Sequence, residues 1–441
     1  VGVRDRLRAV FADTRPLHNE HFRRLWVANI ITVIGAQLTV VAIPAQIYAI
    51  TQSSAMVGLA GLFALVPLVV FGLYGGALAD HHDKRTLLLL TTTGLIATSG
   101  LLWWQAAAGV EDVWVLLGIF ALQQACFAVN QPARAALLPR LIPAEQLPAG
   151  NALNMTVMQF GAIGGPLVGG ALIPVLGFPV LYAVDTVFLL ATLWAVLRLP
   201  PMPPTGAPVR RVGLGSVLDG LRYLRWHTVL LMSFVVDLIA MIFGMPRALF
   251  PEIAHESFGG PLAGGIAFAL LMAAIPLGGA LGGVFSGWVS GVERQGRAVV
   301  LAIVVWGLGI VGAGAAVMAA GRAGGSVTLG PAGPEGSSLL WTLLVLAVLF
   351  LAVAGAADMA SAAFRTTMLQ EAASDEVRGR LQGVFFVVVV GGPRVADVLH
   401  GGAGAVLGPG LATLVGGVLV VLGVLLAARL APVFTAYRVE R

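Results

Sequence analysis

Charge is scarce in this chain. Only 11% of its 441 residues are Asp, Glu, Lys or Arg, against roughly 25% in soluble globular proteins. With a mean hydropathy of +0.92, that excludes an ordinary soluble domain. Cysteine is nearly missing: Cys126 stands alone, which excludes an intrachain disulfide, a multi-cysteine zinc site and an iron–sulfur cluster. No G-x-x-x-x-G-K-[ST] segment is present, so nothing points to nucleotide-driven work. The opening stretch "VGVRDRLRAVFADTRPLHNEHFRR" has no 7–15-residue apolar h-region and no cleavage site, so no cleaved signal peptide is expected. H-E-x-x-H is also lacking. The nearest candidates are His81-His82-Asp83 and the pair His18 and His21 in "HNEH", and that pair has the wrong spacing and no third ligand. No nucleophile–base constellation is visible. The sequence therefore predicts no enzyme, no catalytic residue, no cofactor and no metal.

What the chain does have is long apolar runs, many of 18 residues or more, enough to cross a hydrocarbon core of about 30 Å as helices. Read against breakers, they predict twelve spans: 23–50, 55–79, 86–108, 113–138, 152–174, 178–198, 227–251, 262–290, 297–320, 339–363, 382–406 and 409–430. All but three of the 26 Lys and Arg fall in alternate connections or at the adjoining helix ends; the exceptions are Arg247, Arg322 and Arg394. By the positive-inside rule both termini are cytoplasmic in a multi-pass cell-membrane protein, with Trp103, Trp104 and Trp114 as interfacial belt residues around an outer loop. The net charge of +5 sits between apolar runs rather than on a soluble face, so its partner is membrane lipid and not nucleic acid.

Six spans precede and six follow the longest cytoplasmic segment. The domain reading is 1–22 cytoplasmic, 23–198 first bundle, 199–226 linker, 227–430 second bundle and 431–441 tail. The linker opens Pro-rich and continues from Ser216 as a short amphipathic surface helix. "ARAALLPRLIPAEQ" after span four and "FRTTMLQEAASDEV" after span ten share Arg and Glu at equal spacing, Arg134 to Glu145 and Arg365 to Glu376, with Leu138 matching Leu369. Repeated six-helix halves predict an all-α transporter of two bundles with pseudo-two-fold symmetry and a site near the midplane. Chance matching in an apolar alphabet is the competing explanation. Nothing demands a partner subunit, so a monomer is expected.

One stretch concentrates charge: "GGALADHHDKR", Gly75 to Arg85, between spans two and three. A solvated cytoplasmic loop is what such a run alone suggests. Gly, three residues, Asp and a basic turn nevertheless resemble the signature loop of the major facilitator superfamily. "AIPAQIYAITQSSAMVGLAG", "RALFPEIA", "AAIPLGGALGG" and "TTMLQEAASDEVRGRLQG" resemble its bacterial enterobactin-exporter-like group over nearly the whole chain. The resemblance implies a conformational latch at Gly76, Asp80, Lys84 and Arg85 that holds the cytoplasmic side shut. His81 and Asp83 depart from the usual loop residues, implying a weaker latch or one that responds to pH through His81. The second half lacks the matching aspartate, so the latch is one-sided. "GAIGGPLVGG" resembles an antiporter motif at Gly161, Gly165, Pro166 and Gly169, while a plain packing helix with a kink fits the same residues.

Ionisable residues inside spans are functional candidates by default. Asp237 lies about 15 Å into span seven with no basic neighbour in its own helix turn, as a proton carrier or as a polar packing residue. Arg394 and Asp397 share a face of span eleven, with His400 continuing the strip. Asp358 is expected to pair with Arg365, Arg247 to snorkel outward or to attract an anionic substrate, and Asp185 and Glu252 to lie near outer helix ends. Asn29, Thr32, Thr39 and Gln46 form a polar stripe on span one, as interhelical glue or cavity lining. The antiporter carboxylate that the resemblance would place in this helix is replaced by Ala36, which moves the proton-coupling candidates to Asp237, Asp397 and Arg394. The expected function is a secondary exporter exchanging protons for a siderophore or amphipathic drug-like molecule. An importer or facilitator of the same fold is the alternative, with a membrane enzyme more remote.

Overall fold

The computed structural model describes residues 13–203, 222–330, 333–372 and 375–438. Side chains at 73, 75–77, 79–80, 290, 329–330, 333–334 and 371–387 are not among those described. The described chain is almost entirely helical: α1 Glu20–Thr51, α2 Ser54–His81, α3 Lys84–Ala107, α4 Val113–Ala135, α5 Leu147–Leu197, α6 Thr228–Phe243, α7 Ile266–Val284, α8 Gln295–Ala323, α9 Ser338–Ala372, α10 Asp375–Leu407 and α11 Pro409–Leu430. Among the described residues, ten helical stretches are long and apolar enough to cross a membrane. The protein is multi-pass.

Local chemistry sets the helix ends. Asn19, Asp83 and Asp112 cap α1, α3 and α4, their side-chain oxygens accepting from the amides of Phe22 (3.0 Å), Thr86 (2.9 Å) and Trp114 (2.8 Å). α1 ends where Gln52 turns left-handed (φ 48°). α5 is two helices joined at a sharp kink. Gly177 there adopts φ 72°, ψ 167°, a conformation that a side chain would strain, and Pro179 follows it. The run after α6 breaks at Gly244–Pro246 and resumes as a 3-10 turn at Arg247–Leu249, one α turn and a π turn at Ile253–Ser257. The connection before α9 forms a small antiparallel hairpin, β1 Val327–Gly330 with β2 Gly333–Gly336, where the sequence suggests only a loop. The expected surface helix from Ser216 begins outside the described residues.

α1 and α3 pack with α5, and α4 packs with α2 and α3; in the second half α8 packs with α9 and α11, α7 with α9, and α6 with α10. Two helix pairs join the first half of the chain to the second: α2 with α10, and α5 with α7. Both rely on glycine to bring backbones together. A Cβ added at Gly61 would lie 2.5 Å from the Arg394 carbonyl oxygen, and one at Gly170 would lie 2.8 Å from the Ala269 Cα. The Gly265 amide also donates to the Gly170 carbonyl (2.8 Å). These contacts lie toward the end of the molecule that carries the β-hairpin. Near that end Tyr48 Oη donates to Glu256 (3.3 Å) and Ser54 Oγ donates to the Gly401 carbonyl (3.1 Å), again between the two halves. At the opposite ends of α5 and α7, Met155, Phe160 and Val284 are largely exposed.

Candidate functional site

Three groups of charge lie within the helices. In the first, Asp237 of α6 is 1% exposed and forms an ion pair with Arg365 of α9. Arg365 Nε donates to Ser361 Oγ (3.2 Å), and its other terminal nitrogen lies 4.0 Å from Asp358. One guanidinium thus serves two carboxylates. The sequence finds no cation near Asp237 because Arg365 comes from another helix, 128 positions later. Asp358 is the more open carboxylate, its side chain 27% exposed against 2% for Asp237.

In the second group, Arg394 and Asp397 face each other on α10 at 3.6 Å. Arg247 joins them from the turn after the α6 break, 4.0 Å from Asp397. Its expected outward snorkelling is not what the fold shows: its side chain is 34% exposed, and its buried Nε has no hydrogen-bond partner. Two guanidiniums around one carboxylate leave a surplus positive charge where α2 and α10 touch. His400 leaves this strip, its Nε2 lying 3.0 Å from the Phe243 carbonyl at the end of α6.

The third group lies in the first half. Asp185, expected near a helix end, is 2% exposed and eight residues past the Gly177 kink, about 12 Å along the helix. Its Oδ2 accepts from Thr39 Oγ1 (2.7 Å) and Ser99 Oγ (2.9 Å). Thr32 bonds Thr192 (2.6 Å), and Gln46 joins Gln105 (3.1 Å) and Tyr182 (2.8 Å). Asn29, Thr32, Thr39 and Gln46 are all buried, and the last three hydrogen-bond to side chains of neighbouring helices.

The glycines of "GAIGGPLVGG" lie against the same helix. Gly161 faces Val33, Gly165 faces Gln37, and a Cβ at Gly169 would come 3.1 Å from Leu38 Cδ2. Pro166 is buried beside them inside α5. Between α1 and α5 runs an apolar groove of about 500 Å³, with Trp26, Ile34, Phe160 and Val168 in its walls.

The side chains of Gly76 and Asp80 fall outside the described ones, so the latch is traced only through its basic end. Lys84 is buried, and its amide donates to the Met202 carbonyl (3.1 Å). Arg85 donates to the Leu197 carbonyl at the end of α5 (2.9 Å). Asp83 caps α3 and accepts from the Met202 amide (2.6 Å). Its partial burial favours the neutral form, but the amides of Thr86 and Met202 outweigh that and hold the carboxyl below its ordinary value of 3.8. His81 and His82 are exposed. These described contacts tie the loop to its own half of the chain.

A family model described as "Transmembrane secretion effector" matches residues 11–323. The chain belongs to that family, within the major facilitator superfamily. It is 28% identical over 413 residues to proteins named enterobactin exporter EntS, from Shigella dysenteriae serotype 1 and from Escherichia coli O81, covering 92% of this chain and 90% of each relative. Among solved structures, a variant of the nucleoside transporter NupG superposes with a TM-score of 0.73 at 11% identity, over 93% of this chain and 99% of that one. An inward-facing bacterial homologue of the iron transporter ferroportin gives 0.64 at 14% identity, over 94% and 98%. Those structural likenesses establish the fold, and the family makes this chain a transporter.

Proposed function

We propose that the protein is a secondary active exporter that expels an anionic, amphipathic small molecule, of the siderophore or drug-like kind, in exchange for protons. The observation that carries the substrate charge is the surplus cation of Arg247 and Arg394 around Asp397, inside the helices at the α2–α10 contact, toward its hairpin end. The name borne by the enterobactin exporters supports the direction and the substrate class. Twelve spans follow when the two arms of α5 are counted separately and α10 is included, arranged as two six-helix bundles. With the termini inside, the hairpin end faces outward and the molecule is closed there, in an inward-open state of a bacterial inner-membrane protein working as a monomer.

Proton coupling is assigned to the Asp237–Arg365–Asp358 group. Two carboxylates competing for one guanidinium can exchange it when one of them takes up a proton, which gives a bistable element for alternating access.

The test is reconstitution in vesicles holding a pH dye under an imposed proton gradient, with enterobactin and lipophilic dyes as probes. Substrate-dependent proton flux lost in Asp237→Asn supports coupling at this group. Flux that survives Asp237→Asn and fails in Arg394→Ala moves the coupling to α10. Substrate exchange with no proton flux overturns antiport in favour of a facilitator.

A further inference from the structure

Asp185 has no role in the mechanism above, and its surroundings are unusual. The carboxyl is sealed between α1, α3 and the second arm of α5. Its Oδ2 takes two hydroxyl donors, while its Oδ1 is buried and has no partner at all. A Cβ added at Gly35 would stand 2.8 Å from that bare oxygen, so α1 closes over it with no side chain between. The groups facing it are Gly35 and Thr39 from α1, Ser99 from α3, and Tyr182, Thr186 and Phe188 on its own helix. Tyr182 is the titratable one. Among the described residues no Lys, Arg or His forms an ion pair with Asp185.

This differs from the second half, where each of Asp237, Asp358 and Asp397 has a guanidinium within 4.0 Å. A carboxylate with no counter-charge, in a site without water access, carries a desolvation cost that two hydroxyls only partly offset. A proton removes that cost.

Polar groups also lead away from the site in one direction. Thr186 Oγ1 donates to Ser99 Oγ (3.1 Å) and to the Tyr182 carbonyl (2.8 Å). One turn further toward the hairpin end, Tyr182 Oη donates to Gln46, Gln46 donates to Gln105, and Gln105 Nε2 reaches the Val110 carbonyl in the α3–α4 connection. The layer thus spans the same three helices and ends at an exposed loop.

From this geometry we infer that Asp185 is a proton-binding site of the first half, approached from the hairpin end on the side of the Tyr182–Gln46–Gln105 layer. Its step is simple: the carboxylate takes one proton from water at that end and becomes a carboxylic acid. The proton leaves as the carboxyl is re-exposed when α1 moves. The inference rests on the proton-driven reading only for its purpose. The site itself stands or falls on whether Asp185 exchanges a proton.

The experiment is infrared difference spectroscopy, acid minus alkaline, on the full chain in lipid. Wild type is expected to gain a carboxylic-acid C=O band that Asp185→Asn lacks and Asp185→Glu restores at a shifted frequency. Superimposable wild-type and Asp185→Asn spectra overturn the inference, because Asp185 then keeps one protonation state throughout. Should Asp185→Asn fail to fold, Thr39→Val removes a donor that favours the ionised form and moves the band's midpoint to higher pH; an unmoved midpoint overturns it equally. A titrating band in a protein without substrate-driven proton flux leaves this site standing and defeats antiport.

Discussion

Removing Arg365 should damage this protein more than removing either carboxylate it serves. Arg365→Met leaves Asp237 and Asp358 without their shared cation, and Asp237 is 1% exposed. Breaking a buried ion pair by deleting one partner typically costs about 3–5 kcal/mol, because the surviving charge is uncompensated. Asp237→Asn is milder. The guanidinium keeps Ser361 at 3.2 Å and Asp358 at 4.0 Å, and the new amide oxygen can still accept a bond. A cost of about 1–2 kcal/mol, the scale of a weakened charge-assisted hydrogen bond, is expected. The double variant Asp237→Leu/Arg365→Met removes the tight pair together and should recover part of the single-site loss. Equilibrium unfolding in mixed micelles, monitored by tryptophan fluorescence, measures all three. An Arg365→Met protein within about 1 kcal/mol of wild type, or no worse than Asp237→Asn, refutes the reasoning that Arg365 neutralises a buried acidic pair.

Other expectations follow from single contacts. Gly61→Val should prise α2 from α10, since even a Cβ there meets the Arg394 carbonyl at 2.5 Å. In a Cys126→Ser background carrying Ser54→Cys, maleimide labelling at the hairpin end should rise several-fold. Thr32→Val deletes the 2.6 Å bond to Thr192 and should cost about 0.5–1.5 kcal/mol in the same unfolding assay. Asp83→Ala should cost about 1 kcal/mol as a lost helix cap and free the Met202 amide to exchange hydrogen. Because Asp83 titrates below its ordinary 3.8, its contribution is full at neutral pH and is lost as pH falls through the lowered value. Met202 protection in wild type should therefore approach that of Asp83→Ala only in strong acid.

The helices were legible because the apolar run is the signal a membrane span must carry. The expected 23–50 and 409–430 match Glu20–Thr51 and Pro409–Leu430 closely, and the gap between 174 and 178 holds the Gly177 kink. The charged partners were only half legible. Arg394 with Asp397 could be read from helical spacing alone, and Asp358 with Arg365 almost as easily. Arg247 and Asp237 could not, because their partners arrive from helices more than a hundred residues away. Asp185 was undervalued for the same reason: its donors, Thr39 and Ser99, come from two other helices. The break at Gly244–Pro246 was hidden by an apolar run that continues through it. That break is what lets Arg247 turn back toward Asp397.

The closure at the hairpin end uses interactions that are cheap to undo. Between the halves, the hydrogen bonds Tyr48–Glu256, Ser54–Gly401 and Gly265–Gly170 join glycine-mediated backbone contact, while each close ion pair in the helices lies within one half. Interhelical hydrogen bonds in membrane proteins average about 0.6 kcal/mol, so these contribute only about 2 kcal/mol. Shifting a two-state balance from 1:99 to 99:1 takes about 5.5 kcal/mol of differential binding. An anion drawn to Arg247 and Arg394 would act where α10 meets Gly61 of α2, the glycine contact that must separate for the hairpin end to open. On the proposed reading, substrate charge and opening of the hairpin end would be coupled through one helix, α10, without any long-range relay.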